Sequence, residues 1–371
     1  MFGFSRIRLW QMIKKEFKQL LRDPKAKPLL LGSPIVQFIL LAYASTTDVE
    51  HIRTVVVDQD RTVDSRAMVQ AFTSSSYFQI EDYPASAEAV SDYLDRGKVV
   101  VGIIIPPGFS RDYRTGKRAE VQALIDGSDA SVATVAQSYV GQVVGAFGAR
   151  AESSLRPAGT ELRARAWFNP ELKSRYFNVP AIMGTLLIMT ALMLTTMGVV
   201  REREVGTLDL LQVSPIKATE LMVGKMVPIL AVGALHLTLF MSLSLLHFEV
   251  PFRGTPGALA SAAFLFLLAG LAIGLLISCS SKTQQEAFML MILVMLPTVI
   301  LSGMLSPIES MPRALQWLTL INPVRHFLDI VRGVFLKGTG LAELWPQYAA
   351  LAAIAITALG LATNRFKHSI A

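Results

Sequence analysis

The chain has 371 residues, of which 52% are hydrophobic and 17% are charged, and its mean hydropathy is +0.46. Soluble domains carry about 25% charged residues, so the composition excludes an ordinary soluble protein and indicates a membrane protein. The single cysteine, Cys279, excludes a disulfide framework and a cysteine-rich metal site. The net charge of +7 fits the cations that flank membrane helices on the cytoplasmic side, and no nucleic-acid partner is expected.

Residues 1–27 predict a basic amphipathic helix in the cytoplasm. Apolar side chains such as Ile7, Trp10 and Ile13 recur at helical spacing, with most of the lysines and arginines between them. Such a helix suits the surface of an anionic inner leaflet, although a solvated surface helix is the alternative. The apolar run 28–47 is long enough to cross the membrane, so we expect it to be the first span and not a cleaved signal peptide.

Residues 48–175 have an ordinary mixture of charges and a repeated alternation of strand-like and helix-like segments. The strand-like strings are TVVVDQD, YFQIEDY, VVVGIIIPPGF and AEVQALIDG. A helix-like string follows each of them, and the last helix is expected to run to about residue 155. This alternation predicts a small α/β domain, and about 130 residues suffice for a core of its own.

Residues 176–371 contain five further apolar runs, at about 177–200, 221–246, 257–279, 286–304 and 345–364. With the first run they predict six transmembrane helices. Because the N-terminus is basic, we place both termini in the cytoplasm. The predicted fold class is a polytopic α-helical membrane protein with six transmembrane helices and an inserted extracytoplasmic α/β domain.

Prolines interrupt an apolar stretch at 305–325 that is too short to span the membrane. A re-entrant helical hairpin buried in protein is allowed there, and we expect it to form an outer gate; a surface loop is the alternative. The outer segment around it fits the positive-inside tendency poorly, because it holds Arg313, Arg325, Arg332 and Lys337.

Motifs for catalysis and nucleotide binding are missing from the sequence. No G-x-x-x-x-G-K-[ST], H-E-x-x-H or G-x-S-x-G string occurs, and the histidines are scattered. We therefore expect no enzymatic activity and no metal site in this chain. His236 lies inside an apolar run. Either a proton relay or a hydrogen bond to a neighbouring helix would explain an ionisable side chain at this position. Because the span centres carry no clear acid or base, the energy for uphill transport is expected to come from elsewhere.

The string REREVGTLDLLQVSP at 201–215 directly follows the second apolar run. Gly206 permits a sharp change of direction, and Pro215 limits the helix that follows. Leucines at near-helical spacing give this cytoplasmic segment an apolar patch beside its charges, which suits docking in a groove of another protein. An ordinary cytoplasmic loop is the alternative.

This string resembles the E-R-E-x-G-T coupling segment of the ABC transporter type-2 export permeases, in particular the multidrug-type bacterial members with a large extracytoplasmic domain after the first span. Three further strings resemble the family's N-terminal elbow helix, the entry to its second span and the stretch between its fifth and sixth spans. They are KKEFKQLLRDPKA, FNPELKSRYFNVPAIM and SGMLSPIESMPRALQWLTLINPVRHFLDIVRGVFLKG. The likeness covers nearly the whole chain.

The resemblance implies two six-helix permease subunits, identical or paralogous, beside two ABC ATPase subunits that bind ATP and magnesium. It implies no cofactor on this chain, and it places a coupling helix at 201–216. The residues expected to meet the ATPase are Glu202, Arg203, Glu204, Gly206, Thr207, Leu208 and Leu211. Val205 departs from the family, in which a charged or polar residue is common at this position.

The sequence thus predicts the permease subunit of an ATP-driven exporter in a bacterial inner membrane, which moves an amphipathic or drug-like substrate outward. The small polar groups that are candidates for lining its route are Thr190, Thr195, Thr196 and Ser242, although helix–helix hydrogen bonding explains them equally. The alternative function is a membrane-anchored receptor or sensor that binds a ligand with its outer domain. Membrane lipids are expected partners, and docking of a periplasmic adaptor protein stays open.

Overall fold

A computed structural model describes residues 6–22, 26–45, 51–128, 130–155, 168, 173–206 and 218–370. The chain divides into two compact units, one formed by residues 47–165 and one by residues 1–46 and 166–371. The helices and strands are, in chain order, α1 (Arg6–Arg22), α2 (Ala26–Ala44), β1 (Ile52–Asp58), α3 (Val63–Ser74), β2 (Phe78–Asp82), α4 (Ala87–Asp95), β3 (Val101–Ile105), α5 (Phe109–Arg114), β4 (Gln122–Ile125), α6 (Ala130–Leu155), α7 (Ser174–Glu204), α8 (Ala218–Leu246), α9 (Pro256–Ser280), α10 (Gln284–Ile300), α11 (Arg313–Thr319), α12 (Pro323–Arg332) and α13 (Trp345–Ile370).

Helices α1, α2 and α7 to α13 build the helical unit. Among the described residues, four helices are long and apolar enough to cross a membrane. They are Ser174–Glu204, Thr219–Leu246, Pro256–Ser280 and Trp345–Phe366. Two shorter apolar helices, Gly32–Ala44 and Gln284–Ile300, lie where the first and fifth spans are predicted, so the count of six spans stays a prediction.

Helix α1 is amphipathic, as predicted, and it packs along α8. Met12 is buried there against Gly224, where an added Cβ would lie 2.5 Å from Met12 Cγ. Ile7 and Trp10 remain 75% and 63% exposed. Because large apolar side chains are unfavourable in water, this exposed face suits a membrane surface.

Helix α9 packs most extensively of all, against α13 and α7. At Gly274, α9 and α7 approach so closely that an added Cβ would lie 2.9 Å from Thr195 Cβ. The neighbouring Thr196 hydroxyl donates across the interface to the Gly274 carbonyl at 3.2 Å. Small residues and interhelical hydrogen bonds of this kind hold helices together in lipid, where water does not drive their association.

The buried His236 on α8 compensates for a proline in α2. Pro34 has no N–H, so the carbonyl of Leu30 lacks its intrahelical donor. His236 Nε2 lies 2.7 Å from this carbonyl oxygen, and it must carry the proton because a carbonyl only accepts. Nδ1 has no hydrogen-bond partner in the described part of the chain. The contact supports the interhelical hydrogen bond over a proton relay.

Helices α11 and α12 occupy the segment in which a re-entrant hairpin is predicted. Asn322 lies between them and caps two helices, accepting from Val324 N–H at 3.0 Å and donating to the Thr298 carbonyl at 2.7 Å. Phe327 on α12 is fully buried and stacks on Phe266 with ring centroids 4.1 Å apart. Within 305–325, residues 313–319 and 323–325 are α-helical and residues 308–310 form one 3₁₀ turn, and the re-entrant hairpin and its entry into the membrane stay predictions.

Two arginines that fit the positive-inside tendency poorly make contacts within the chain. Arg332 donates from both Nη atoms to the Gly303 carbonyl at 3.3 Å, and its guanidinium lies 3.6 Å from the centroid of the Phe177 ring. Arg325 donates to the Thr319 hydroxyl. These contacts give both residues a structural reason for their positions that is independent of membrane orientation.

The α/β unit contains a four-stranded sheet in the order β2-β1-β3-β4. Strand β1 is parallel to β2 and β3, and β4 is antiparallel to β3. Val56 and Ile103 lie in the larger core, formed with α3, α5 and α6, whereas Val55 and Val57 contact Val90 of α4 on the other face. The predicted alternation of strands and helices is present.

Two carboxylates hold the N-terminus of α5. Asp60 accepts hydrogen bonds from the Gly108 and Ser110 N–H groups at 2.7 and 3.0 Å. Asp64 accepts from Arg114 Nε at 2.6 Å and from the Ser110 hydroxyl. The hydrogen bond from Arg114, followed by that from Ser110, lowers the pKa of Asp64 below its ordinary value, because both favour the charged form.

A fragment of residues 47–165 is expected to unfold cooperatively in urea and to lose stability in acid. Because the folded pKa of Asp64 lies below the unfolded value of about 3.9, its contribution is present above the unfolded pKa. That contribution is lost as the pH falls through the folded pKa. Urea unfolding at neutral pH and in a series of acidic buffers measures this dependence.

Asp64→Asn is expected to reduce the loss of unfolding free energy that the fragment shows as the pH falls. The matched control is Asp92→Asn, which removes an exposed ion pair with Arg96 and should retain the parental dependence. An insoluble fragment or non-cooperative unfolding would contradict this account. An Asp64→Asn variant whose free energy of unfolding falls with pH as steeply as that of the parent would contradict it as well.

Candidate coupling site

The four charged residues that end α7 have different surroundings. Successive side chains on a helix point about 100° apart, so Arg201, Glu202, Arg203 and Glu204 cannot share one face. Glu202 is buried, whereas Arg201 and Glu204 are exposed. Three of the four bind other helices of the unit, so the alternating charges join the end of α7 to its neighbours.

Glu202 is the centre of an ionic cluster formed by Lys15, Glu16, Glu202 and Lys225. Its Oε2 lies 2.7 Å from Lys225 Nζ and its Oε1 lies 3.1 Å from Lys15 Nζ. Glu16 completes the cluster at 3.0 Å from Lys15 and 3.4 Å from Lys225. The cluster joins α1, α7 and α8 and contains equal numbers of opposite charges.

Burial makes this cluster sensitive to the loss of any member. The side chains of Glu202 and Lys225 are each only 7% exposed, so a charge left alone there is poorly solvated. Burial acts to lower the pKa of Lys15, but the negative charges and hydrogen bonds of Glu16 and Glu202 outweigh it and raise the pKa above its ordinary value. Mutual pairing thus favours the charged form of Lys15.

Arg203 and Glu204 bind the two sides of the turn between α9 and α10. Arg203 Nη1 donates to the Ser281 carbonyl at 2.6 Å and to the Ser278 carbonyl at 3.5 Å, at the C-terminus of α9. Glu204 accepts the Gln284 N–H at 2.7 Å, at the N-terminus of α10, and also the Gln284 side-chain amide. Each charge has the sign that stabilises the helix end it meets.

Helix α7 ends at Glu204, and Gly206, two residues later, has a φ of +75°. Glycine adopts this left-handed conformation without steric strain, and the Gly206 N–H donates to the Arg203 carbonyl at 3.1 Å. Gly206 thus has the backbone conformation that a sharp change of direction requires, and the direction of the chain after it stays a prediction because residues 207–217 lie outside the described residues. The docking residues Thr207, Leu208 and Leu211 lie outside the described residues, so contact with an ATPase stays a prediction.

The candidate route residues have separate surroundings. Thr195 and Thr196 are buried, and Thr195 donates to the Ala191 carbonyl of its own helix at 2.8 Å. Thr190 likewise donates within α7, and Ser242 donates within α8 on an exposed face. Only the bond of Thr196 to α9, described above, joins helices, so a common route through these residues stays a prediction.

The partners of Glu202 are the functional residues that the sequence interpretation missed. Glu16 is the only acidic residue in α1, and Lys225 is the only lysine within the apolar helix α8. A charge inside an apolar helix, such as that of Lys225, is unfavourable unless it is paired. This lysine is the feature of the sequence that indicates a charged partner, although it does not identify that partner.

No metal site accompanies the cluster: among the described residues, no three or more His, Cys, Asp or Glu side chains are grouped to hold an ion. The ionic cluster, together with Arg203 and Glu204, joins the C-terminal end of the long helix α7 to α1, α8, α9 and α10 immediately before Gly206.

Comparisons with known proteins extend over nearly the whole chain. It is 34% identical over 367 residues to the probable multidrug ABC transporter permease YbhR of Escherichia coli strain K12, covering 98% of this chain and 99% of the relative. It is 30% identical over 365 residues to the inner membrane transport permease YhhJ of the same organism, covering 96% of each. It is 28% identical over 371 residues to the probable multidrug ABC transporter permease YbhS of that strain, covering 97% and 98%. The ABC-2 family transporter protein pattern matches residues 29–363, and this chain belongs to that family.

Proposed function

We propose that this chain is the permease subunit of an ATP-driven exporter whose energy comes from a separate ATPase subunit. The observation that carries the proposal is the bonding of the α7 end to four other helices at the start of the predicted coupling segment. The names of the relatives, which call them permeases, support it and do not favour the receptor or sensor alternative.

In the proposed mechanism, α7 acts as a lever. With 31 residues at about 1.5 Å per residue, it is about 46 Å long. Movement of the ATPase pushes the segment 201–216, and the contacts of Glu202, Arg203 and Glu204 spread that force through the helical unit. These three residues position the segment, while its leucines and the exposed Val205 meet the ATPase.

The substrate and assembly follow from the same proposal. The names of two relatives, both probable multidrug permeases, support an amphipathic or drug-like substrate, which moves between this subunit and a second copy or a paralogue. ATP and magnesium bind to the ATPase subunits. The complex lies in a bacterial inner membrane with both termini of this chain in the cytoplasm and the α/β unit outside. Polar groups on α7, with Ser242, line the route.

Leu208→Asp is expected to release the ATPase from the permease. The substitution places a charge in the predicted apolar docking patch, and loss of a central interface residue costs about 2 kcal/mol or more. Co-purification of the ATPase from native membranes and substrate-stimulated ATP hydrolysis measure the effect at matched expression.

The control for this experiment is Leu341→Asp, the same change at a leucine that is 54% exposed in the segment between α12 and α13. It should retain the ATPase fully. Charge reversal at Glu202 is unsuitable for the test, because that residue is paired within the chain. Wild-type ATPase recovery and hydrolysis in Leu208→Asp would contradict the docking role.

A further inference from the structure

A cavity of about 780 Å³ lies in the helical unit beside the ionic cluster. Helices α1, α2, α7 and α8 provide most of its wall. Its volume is within the range of sites that hold small organic molecules. Met193 is 36% exposed at its wall, and Arg201 and Lys15 are exposed as well, so the cavity is accessible from outside the chain.

Polarity changes along this cavity in the same direction on two helices. On α7, the wall passes from Met193 and Met197 to Arg201 and Glu202. On the neighbouring α8 the sequence order is reversed, with the charged Lys225 preceding the apolar wall residues. Glu202 and Lys225 form an ion pair, so the charged ends coincide. One end of the cavity is therefore charged and the other is apolar, which is the profile of an amphiphile.

The dimensions of the cavity match one leaflet of a bilayer. The wall on α7 runs from Met193 to Val205, which is about 18 Å of helix at about 1.5 Å per residue. Half the hydrocarbon thickness is about 15 Å. The charged end thus lies at the level where lipid headgroups meet the predicted cytoplasmic surface.

The charged end favours an anion. Three cations, Lys15, Arg201 and Lys225, face two carboxylates there, so one positive charge is in excess. Lys15 and Lys225 are paired with the carboxylates. The side chain of Arg201 makes no hydrogen bond or ion pair with any residue that the structure describes. Its guanidinium is free to bind a phosphate, for which its fork of donors is well suited.

We infer that this cavity binds an anionic phospholipid of the cytoplasmic leaflet. The phosphate binds Arg201 beside Lys15, and an acyl chain lies along the apolar wall. Methionines in that wall adapt to a flexible chain because their thioethers are unbranched and polarisable. This site places membrane lipid next to the ionic cluster that fixes α7.

Gly198 provides a direct way to fill the cavity. It lies in the cavity wall, and an added Cβ would meet no atom within 4 Å. Gly198→Trp therefore puts an indole ring where the acyl chain lies, without a backbone clash. The matched control is Gly360→Trp on α13, where an added Cβ also meets nothing within 4 Å and which is outside the cavity wall. Arg201→Gln removes the anion-binding charge alone.

The test measures lipid bound to the purified full chain by native mass spectrometry after exchange into detergent with equal amounts of dioleoylphosphatidylglycerol and dioleoylphosphatidylcholine. The wild type should retain about tenfold more of the anionic lipid, as expected for a charge-assisted contact. Arg201→Gln should lose this preference, Gly198→Trp should lose the tightly bound lipid, and Gly360→Trp should match the wild type.

A second arm separates a lipid site from a simple phosphate site. Millimolar inorganic phosphate should not displace the bound lipid, because it gains nothing from the apolar wall. Displacement by phosphate alone, equal retention of the two lipids by the wild type, or full retention by Gly198→Trp would overturn the inference. Size-exclusion profiles matching the wild type verify that each variant is folded when its lipid is counted.

Discussion

Glu202→Leu is expected to destabilise the helical unit by about 3–5 kcal/mol, the effect of removing one partner from a buried ion pair. Among the described residues, the substitution leaves Lys225, which is 7% exposed, with the more distant Glu16 at 3.4 Å as its ion-pair partner. Denaturant unfolding of the full chain in mixed micelles measures the change. The control is Glu249→Gln, at a 76% exposed side chain 3.9 Å from Arg175, where a change below about 1 kcal/mol is expected.

A double substitution distinguishes loss of pairing from loss of packing. Lys225→Met alone should also destabilise the unit, because the buried Glu202 then loses its ion-pair partner at 2.7 Å. Combined with Glu202→Leu, it removes both buried charges, and apolar replacement of a buried pair is often neutral. The double variant should therefore unfold at higher denaturant than either single variant. If the losses of unfolding free energy were additive in the double variant, or if Glu202→Leu caused no loss, the cluster would not be what fixes α7.

Phe72→Ala is expected to destabilise the isolated fragment of residues 47–165 by about 3–5 kcal/mol, the usual effect of removing a buried phenyl ring. Phe72 is fully buried in α3 and meets the edge of the Phe78 ring with centroids 5.3 Å apart. The truncation leaves a cavity between the sheet and the helices on that face. Urea unfolding at neutral pH measures the change in the free energy of unfolding.

Val63→Ala is the control for that measurement because Val63 lies in the same helix and is 73% exposed. A change of less than about 0.5 kcal/mol is expected there. If both substitutions had equal effects, the core between α3 and the sheet would not be the source of the fragment's stability.

Features with a local physical signal were predictable from the sequence. In residues 48–175 the strand-like and helix-like periodicities differ, and each predicted element is present. The amphipathic form of α1 and four long apolar helices were predictable for the same reason. Gly206 was identified because its conformational freedom belongs to the residue itself. These properties depend on neighbours only a few residues apart in the chain.

Which charges meet was decided by the tertiary structure alone. Lys15 and Glu202 are 187 residues apart and lie 3.1 Å apart in space, and their pairing depends on how α1 and α7 pack and rotate. Periodicity gives the face on which a side chain lies, but it does not give the helix that this face meets. The same holds for the bond from His236 to Leu30 and for the cavity, whose charged and apolar ends arise only when residues of several helices meet. The sequence by itself determined the elements and their polarity, and packing in three dimensions determined which of their polar groups act together.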